Sequence, residues 1–444
     1  MVPERLRHKK TYQRSFLPVR LHFIDLIHYN SACNVELCQS NYTGTFMYAR
    51  NRHIVQILLK RAKIFPVLGV LGPRQVGKST FLLNQWSQEK QANYITFDEK
   101  EIAQRAQRAP AQLLIDESSN QDIHLIIDEA QKVPHIFDSI KALVDKNRRN
   151  GAFTLSGSVE FSSKSGVRES LAGRMGITKL YPMTLRELSN KNFISPWVTF
   201  NFTTQDSLQP KSIETWLERG GMPIFCRLSD LDERIGLINS WLEAICYRDI
   251  KQLKGAVYDS EIAYHLMLLL STESLISFTQ LASELGTTNT SIKKHLHALE
   301  SLFLIYKIPS FENPRGQPMY KIFDAGVLNA LRGGKTTIIS RHSSLVSLLI
   351  NEIYAQYEYS GKLKPEIYYY RTRGGAEIDL VLKTKDKLVG IECVTSDDIS
   401  PYRQRGMKSF LEKYDGAIGY FVAPVQKSFS IGKNIHVIPW NHIG

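Results

Sequence analysis

A glycine-bounded loop that ends in a lysine and a hydroxyl is equipped to hold a chain of phosphates. Residues 72–79 read Gly72-Pro73-Arg74-Gln75-Val76-Gly77-Lys78-Ser79, the spacing G-x-x-x-x-G-K-S of a phosphate-cradling loop, or P-loop. The loop amides and the first turn of a following helix point N–H groups at an anion, and the helix dipole adds favourable charge. In this spacing Lys78 reaches β- and γ-phosphates, the Ser79 hydroxyl ligates Mg2+, and Thr80 continues into the helix. A structural turn would have the same glycines. The flanks favour the phosphate site: Val67-Leu68-Gly69-Val70-Leu71 reads as a strand before the loop, and Thr80–Trp86 as a helix after it.

Phosphoryl transfer to water also needs a metal ligand and a group that polarises the water. His124-Leu125-Ile126-Ile127-Asp128-Glu129 reads as a buried parallel strand that ends in two acids, at the sheet edge where ligands bind in open α/β folds. Asp128 is expected to hold Mg2+, directly or through water, and Glu129 to polarise the attacking water. The bland alternative is a strand ending in a solvated acidic turn. Ser156 or Ser158, after Phe153-Thr154-Leu155, could sense the γ-phosphate or be an ordinary turn serine. Arg168 and Arg174 are candidates for an arginine beside that phosphate, a contact worth about 10³–10⁵ in rate. Arg174 is the better of the two, although a solvated helix face explains either. Asp98, ending a second strand, reads as a turn aspartate.

These runs, GPRQVGKST, HLIIDEAQKVPHIFDSIKALVD and FTLSGS, are joined by ESLAGRMGITKLYPMTLREL, GGMPIF, KIFDAGVLNAL and YYYRTRGGAEIDLVL. Together, over residues 47–444, they resemble AAA-type P-loop ATPases that carry a C-terminal domain of unknown function (4143 type) with a restriction-endonuclease-like core. The resemblance implies ATP binding with Mg2+ and slow hydrolysis, and no settled biological role.

The elements that must position these groups follow from the patterning. Strands are expected near Val67–Leu71, Tyr94–Phe97, His124–Asp128, Phe153–Ser156 and Ile177–Leu180, alternating with helices. Residues 47–185 therefore read as an α/β domain with a parallel sheet covered on both faces. Residues 186–257 read as a helical lid or connector broken at Gly220-Gly221-Met222-Pro223. Residues 258–331 read as a winged helix: Phe278–Leu285, a glycine-containing turn, Ser291–Leu302 with Thr290 as N-cap, then wing strands Leu304–Ile308 and Met319–Phe323 around Pro314-Arg315-Gly316. Lys293, Lys294 and His297 are expected on the exposed side of its second helix, where they could meet DNA or only water.

Residues 340–444 read as the smaller restriction-endonuclease-like α/β domain. Glu352, Asp379 and Glu392 are weak second-site candidates for Mg2+. In restriction-like nucleases a lysine stands two residues after the glutamate. Here that position is Val394, with Lys408 as a migrated substitute, so a non-catalytic scaffold is the simpler expectation. Arg371, Arg373, Arg403 and Arg405 could touch phosphates or be plain surface charge.

The chain has 444 residues, 43% of them hydrophobic and 22% charged, the composition of a globular protein with several domains. No apolar run approaches the ~18 residues of a membrane span. Five cysteines, an odd number, argue against a disulfide framework and for a reducing cytoplasm. Cys33 and Cys38 have no second pair to complete a zinc site. The formal charge of +13 favours anionic partners, nucleic acid included, but is spread along the chain. Residues 1–46 lack the family-like runs and read as a loose extension before a start at Met47.

Three functional readings remain open on these residues: an ATP-driven or ATP-switched protein, an ATP-using DNA-processing enzyme, and a nucleotide-binding interaction module with little turnover. Self-association is compatible with each, since Arg174 could serve its own subunit or a neighbour.

Overall fold

The computed structural model describes residues 50–444 apart from 119–122, 159–170, 203–206, 254–256, 273–274, 335–337 and 398. The expectations on residues 1–46, Cys33, Cys38 and Arg168 lie outside the described residues.

The chain is α/β, with a parallel sheet near its start and a mixed sheet near its end. In the first sheet β1 (Val67–Leu71), β2 (Asn93–Thr96), β3 (Leu125–Asp128), β4 (Phe153–Gly157) and β5 (Met175–Lys179) run in the order β2-β3-β4-β1-β5. All neighbours are parallel. Every residue of β1, β3 and β4 is buried, the pattern of strands covered on both faces; β1 and most of β3 are accordingly apolar runs, while β4 alternates and buries Thr154 and Ser156 with the rest. The edge strands β2 and β5 are only partly covered and alternate.

The helix after β1 starts as Lys78–Phe81, widens into a π turn over Leu82–Trp86 and closes as Ser87–Lys90. Trp86 anchors it to the sheet by donating its indole N–H to Thr154 Oγ1 at 3.0 Å.

Beyond β5 the Thr184 capping box starts the short helix Leu185–Leu188. Helices Pro210–Arg219 and Leu231–Ala244 follow. The second continues through a π turn, Ile245–Asp249, and a 3-10 turn, Ile250–Gln252. Three helices (Ser260–Thr272, Phe278–Glu284, Asn289–Ser301) then lead into an antiparallel hairpin of β6 (Ile305–Ile308) and β7 (Met319–Ile322). The cap of the third is Thr288, not Thr290: its hydroxyl accepts from Ser291 N–H at 3.2 Å, so the helix begins earlier than expected. Lys293 lies over the Phe278 ring, and Lys294 donates to the Val257 carbonyl and lies over Tyr258. Both lysines are thus engaged within their own fold.

The second sheet has the order β12-β13-β11-β10-β9-β8, formed by β8 (Glu366–Arg371), β9 (Glu377–Lys383), β10 (Leu388–Cys393), β11 (Ile418–Ala423), β12 (Phe429–Ser430) and β13 (Ile435–Pro439). Two helices accompany it, Ile338–Ser360 and Gln404–Lys413. One apolar core runs unbroken from Ile54 and Leu58 through Trp197, Trp241 and Leu299 to Leu349, Leu380 and Trp440. The long helix Ile338–Ser360 is its keel. Gln356 accepts from Trp197 N–H at 3.0 Å, Glu352 from Leu185 N–H at 2.6 Å, and the Tyr359 hydroxyl from Tyr181 N–H at 3.2 Å.

Candidate nucleotide site

The loop Gly72–Lys78 leaves the C-terminal end of β1, and its glycines are dictated by geometry. Gly77 sits at φ 93°, in the left-handed region. A Cβ on Gly72 would lie 2.4 Å from the Leu180 carbonyl oxygen. The buried Lys78 ammonium donates to the carbonyls of Gly72 and Pro73, both at 2.9 Å. Burial brings its pKa down to about 8, and Glu129 and Asp128 oppose the fall. The group therefore stays charged near neutrality and lies in the field of both acids.

Asp128 ends β3, between β2 and β4 in the sheet, and a side chain from each of those strands reaches its carboxylate. Tyr94 of β2 donates to Asp128 Oδ2 at 2.8 Å. Ser156 of β4 donates to Oδ1. The Ser79 side chain is near enough to the Tyr94 hydroxyl to influence its ionisation, so Ser79 and Asp128 both neighbour one phenol. A hydroxyl and a carboxylate brought to one place suit a hard divalent cation that takes oxygen ligands. Among the described residues no cluster of three His, Cys, Asp or Glu could hold a metal alone.

Glu129 follows at φ 54°, left-handed for a non-glycine residue. Strain of this kind collects at functional positions. Its N–H donates to Asp128 Oδ1 at 3.1 Å and to Ser156 Oγ at 3.2 Å, which holds the turn. Burial raises the Glu129 pKa above the usual carboxylate range, opposed by Lys78. Ser156 is fully buried between Asp128 and the Glu129 amide. There it holds the Asp128 carboxylate and the Glu129 amide in place. Asp98 pairs with Lys132 at the surface, as a turn aspartate does.

Arg174 is corrected more sharply. It precedes β5, and its carbonyl accepts from Val67 N–H, the first residue of β1. The loop leaves the other end of that strand, roughly 17 Å away at 3.3 Å per residue. The guanidinium is instead bound to Asp145, Nε to Oδ1 at 2.6 Å and Nη2 to Oδ2 at 2.9 Å. It does not reach the phosphate loop of its own chain.

Sequence reasoning missed Arg52, which is 5% exposed. It donates to the Val76 carbonyl inside the loop at 2.9 Å and to the Tyr181 carbonyl at 2.6 Å, and its Nε lies 3.2 Å from Glu187 Oε1. It also missed Tyr94 and the pair formed by Arg74 with Asp249, 3.1 Å apart. Only the Arg248-Asp249 adjacency at a helix end could have signalled the last. Beside the loop a cleft of about 400 Å³ lies between Arg50–Arg52 and the helix residues Thr80, Asn84 and Gln88.

In the second sheet the register that opposes Ile391 to Leu380 continues to place Glu392 opposite Asp379. The two carboxyls share a hydrogen bond, and burial and that neighbour raise Glu392 well above its ordinary range. Burial alone would raise Asp379, but His342, 3.0 Å away, and the Cys393 N–H hold it below its usual value. Glu352 does not join them. It is buried against Leu185 and Gln356, and burial pushes its pKa up to about 7. Lys408 is exposed. The lysine whose charge Asp379 supports is the buried Lys321 of β7.

Residues 65–189 match an AAA domain, residues 210–337 a domain of unknown function (DUF8612) and residues 345–443 a domain of unknown function (DUF4143). An uncharacterized protein of Mycobacterium tuberculosis is 26% identical over 425 residues, 93% of this chain and 88% of that protein. An uncharacterized protein of Methanocaldococcus jannaschii is 23% identical over 361 residues, 79% of each chain. Among solved structures, a signal transduction ATPase with numerous domains and a tetratricopeptide repeat sensor, from Pyrococcus horikoshii, overlaps at TM-score 0.28 and 11% identity, covering 74% of this chain and 50% of that one. The Hsp104–ADP complex of S. cerevisiae overlaps at TM-score 0.26 and 11% identity, covering 70% and 43%. At these scores the overlaps carry no weight, and the fold is read from the order and direction of the strands. No helix among the described residues is long and apolar enough to cross a membrane.

Proposed function

We propose that this chain, whose residues 65–189 match an AAA domain, binds ATP with Mg2+ at Gly72–Thr80 and hydrolyses it slowly to switch its later domains. The observation that carries this reading is convergence. Lys78, Ser79, Asp128 and Glu129 come from two strand ends separated by some fifty residues of chain, yet the Lys78 ammonium lies in the field of both acids, and the Tyr94 hydroxyl that donates to Asp128 is near enough to Ser79 to feel it.

In this reading the Lys78 ammonium leaves the Gly72 and Pro73 carbonyls for phosphate oxygens, and the loop amides take the rest of the anion. Ser79 and Asp128 hold Mg2+, which neutralises charge on the outer phosphates. Glu129 accepts a proton from the attacking water. Its raised pKa makes it a better base than a solvated carboxylate. The cleft between Arg50–Arg52 and Thr80 has room for the nucleoside. Arg174 would meet a terminal phosphate only on a neighbouring copy.

The test is paired. Lys78→Ala abolishes binding and turnover, whereas Glu129→Gln keeps binding and loses turnover. Unchanged turnover in pure Lys78→Ala protein would overturn the assignment.

The domain reading belongs to the same proposal: a nucleotide domain over 47–185, a helical connector to 257, a winged helix over 258–331 and a non-cleaving restriction-endonuclease-like domain over 340–444. Support for the last comes from the withdrawal of Glu352 and from Val394 in place of the usual lysine. Metal-dependent nicking of duplex DNA that is lost in Asp379→Ala would establish the DNA-processing reading instead. Salt-sensitive stimulation of turnover by duplex DNA would show that nucleic acid is a partner.

A further inference from the structure

Asp249 has no part in the site as drawn above, yet it stands beside it. The helix Leu231–Ala244 does not end at its last regular turn but widens into the π turn Ile245–Asp249. Such turns insert a residue and re-aim the side chains after it, and they recur at functional sites. Here the turn delivers the Asp249 carboxylate, 6% exposed, to the phosphate loop. Arg74, the third residue of that loop, donates to it at 3.1 and 3.4 Å. Arg248 donates to it through Nε at 3.0 Å. Asp249 is also close enough to the Lys78 ammonium to favour its charge.

One nearly buried carboxylate therefore carries two guanidinium groups at the mouth of an anion site. Both arginines are partly exposed, 38% and 55% at their side chains, while the acid between them is not. A guanidinium matches a phosphate oxygen pair as well as it matches a carboxylate. A doubly charged terminal phosphate is the stronger competitor.

We propose that Asp249 is an internal stand-in for a terminal phosphate: it holds Arg74 and Arg248 beside the loop until a nucleoside triphosphate takes them from it. The inference rests on the P-loop reading above and deepens it. It makes Arg74 and Arg248 the residues that distinguish triphosphate from diphosphate, and it makes release of the Asp249 carboxylate from its two arginines the local result of that distinction. A purely structural ion pair would differ in one respect, because its loss would weaken the two nucleotides alike.

The experiment is calorimetric titration of the full chain, with Mg2+, by a non-hydrolysable ATP analogue and by ADP. Asp249→Asn keeps the shape and removes the charge. It should tighten the triphosphate by about tenfold, a difference of 1.4 kcal/mol, and leave ADP within about twofold. Arg248→Ala, at an exposed side chain that folding does not need, should weaken the triphosphate by a similar factor and spare ADP. It decides the matter alone if Asp249→Asn does not fold. Equal shifts for both nucleotides, or a triphosphate bound no tighter by Asp249→Asn and no weaker by Arg248→Ala, refute the exchange while leaving the ATP site intact. A wild-type chain that binds neither nucleotide overturns the ATP reading and this inference with it.

Discussion

Replacing Arg52 by alanine should cost both stability and the phosphate loop. The guanidinium is buried and bridges three acceptors: the Val76 carbonyl within the loop, the Tyr181 carbonyl after β5 and the Glu187 carboxylate. Its removal strands a buried charge, for which breaking an ion pair typically costs 3–5 kcal/mol. Glu187 keeps two main-chain donors, His53 N–H at 2.7 Å and Thr184 N–H at 2.9 Å, so the low end, about 3 kcal/mol, applies. Two carbonyls losing a charged donor add roughly 1 kcal/mol each at the modest end of the desolvation range. The sum, about 5 kcal/mol, matches the lower bound for the total stability of a typical domain. Urea unfolding followed by tryptophan fluorescence should show an earlier midpoint for Arg52→Ala, with weakened ATP binding well below that midpoint because the Val76 turn is no longer braced. Arg52→Lys should recover only part of either, since one ammonium cannot serve three acceptors in a planar fan. A midpoint within experimental error of wild type would refute the reasoning, for it would mean that the loop is held by its own hydrogen bonds.

Tyr94→Phe removes the hydroxyl that Asp128 and Ser79 give up when they take a cation; the Mg2+ concentration that half-saturates ATP binding should fall several-fold, and a rise would show that Tyr94 supports the metal instead. Gly220→Ala places a Cβ 2.1 Å from Asp324 Oδ1 at a backbone φ of +68°; a destabilisation above about 3 kcal/mol is expected from overpacking plus left-handed strain, read as a shifted thermal midpoint. Glu352 ionises near 4.5 in the unfolded chain but keeps its proton to about 7 when folded. Stability is therefore lost as pH rises from 4.5 to 7, by about 3 kcal/mol at 1.36 per unit. Burial raises Asp324 to about 6 and adds to the same slope. Glu352→Gln should flatten the profile of denaturant midpoint against pH, and an unchanged profile would disprove the assignment.

The parts of the site legible in the sequence are those written locally. Gly72, Gly77, Lys78 and Ser79 are neighbours in the chain, and Asp128 and Glu129 end an unmistakably buried strand, so periodicity and spacing sufficed for them. Arg52, Tyr94 and Asp249 meet their partners across 24 to 175 residues, and nothing in an isolated arginine or tyrosine reveals which carbonyl or carboxylate it will find. Arg174 is ambiguous for the converse reason: a glycine followed by arginine looks the same whether it faces a phosphate of its own chain, one of a neighbouring copy, or an aspartate such as Asp145. Glu352 had helical placement in its favour, but its face of that helix turns toward Leu185 and not toward Asp379. Thr288 and Thr290 are hard to tell apart in the sequence because Thr287, Thr288, Thr290 and Ser291 crowd one turn, and only the hydrogen bond from Ser291 N–H chooses among them.

The long helix Ile338–Ser360 has a bearing on how this molecule can be taken apart. Through Glu352, Gln356 and Tyr359 it satisfies main-chain donors at Leu185, Trp197 and Tyr181, all of which belong to segments that precede it by well over a hundred positions. A fragment ending ahead of Ile338 would bare those amides together with the Tyr181 and Leu185 side chains. The half that carries the phosphate loop should consequently resist expression on its own, because its folding waits on the tail of the polypeptide being synthesised and docked.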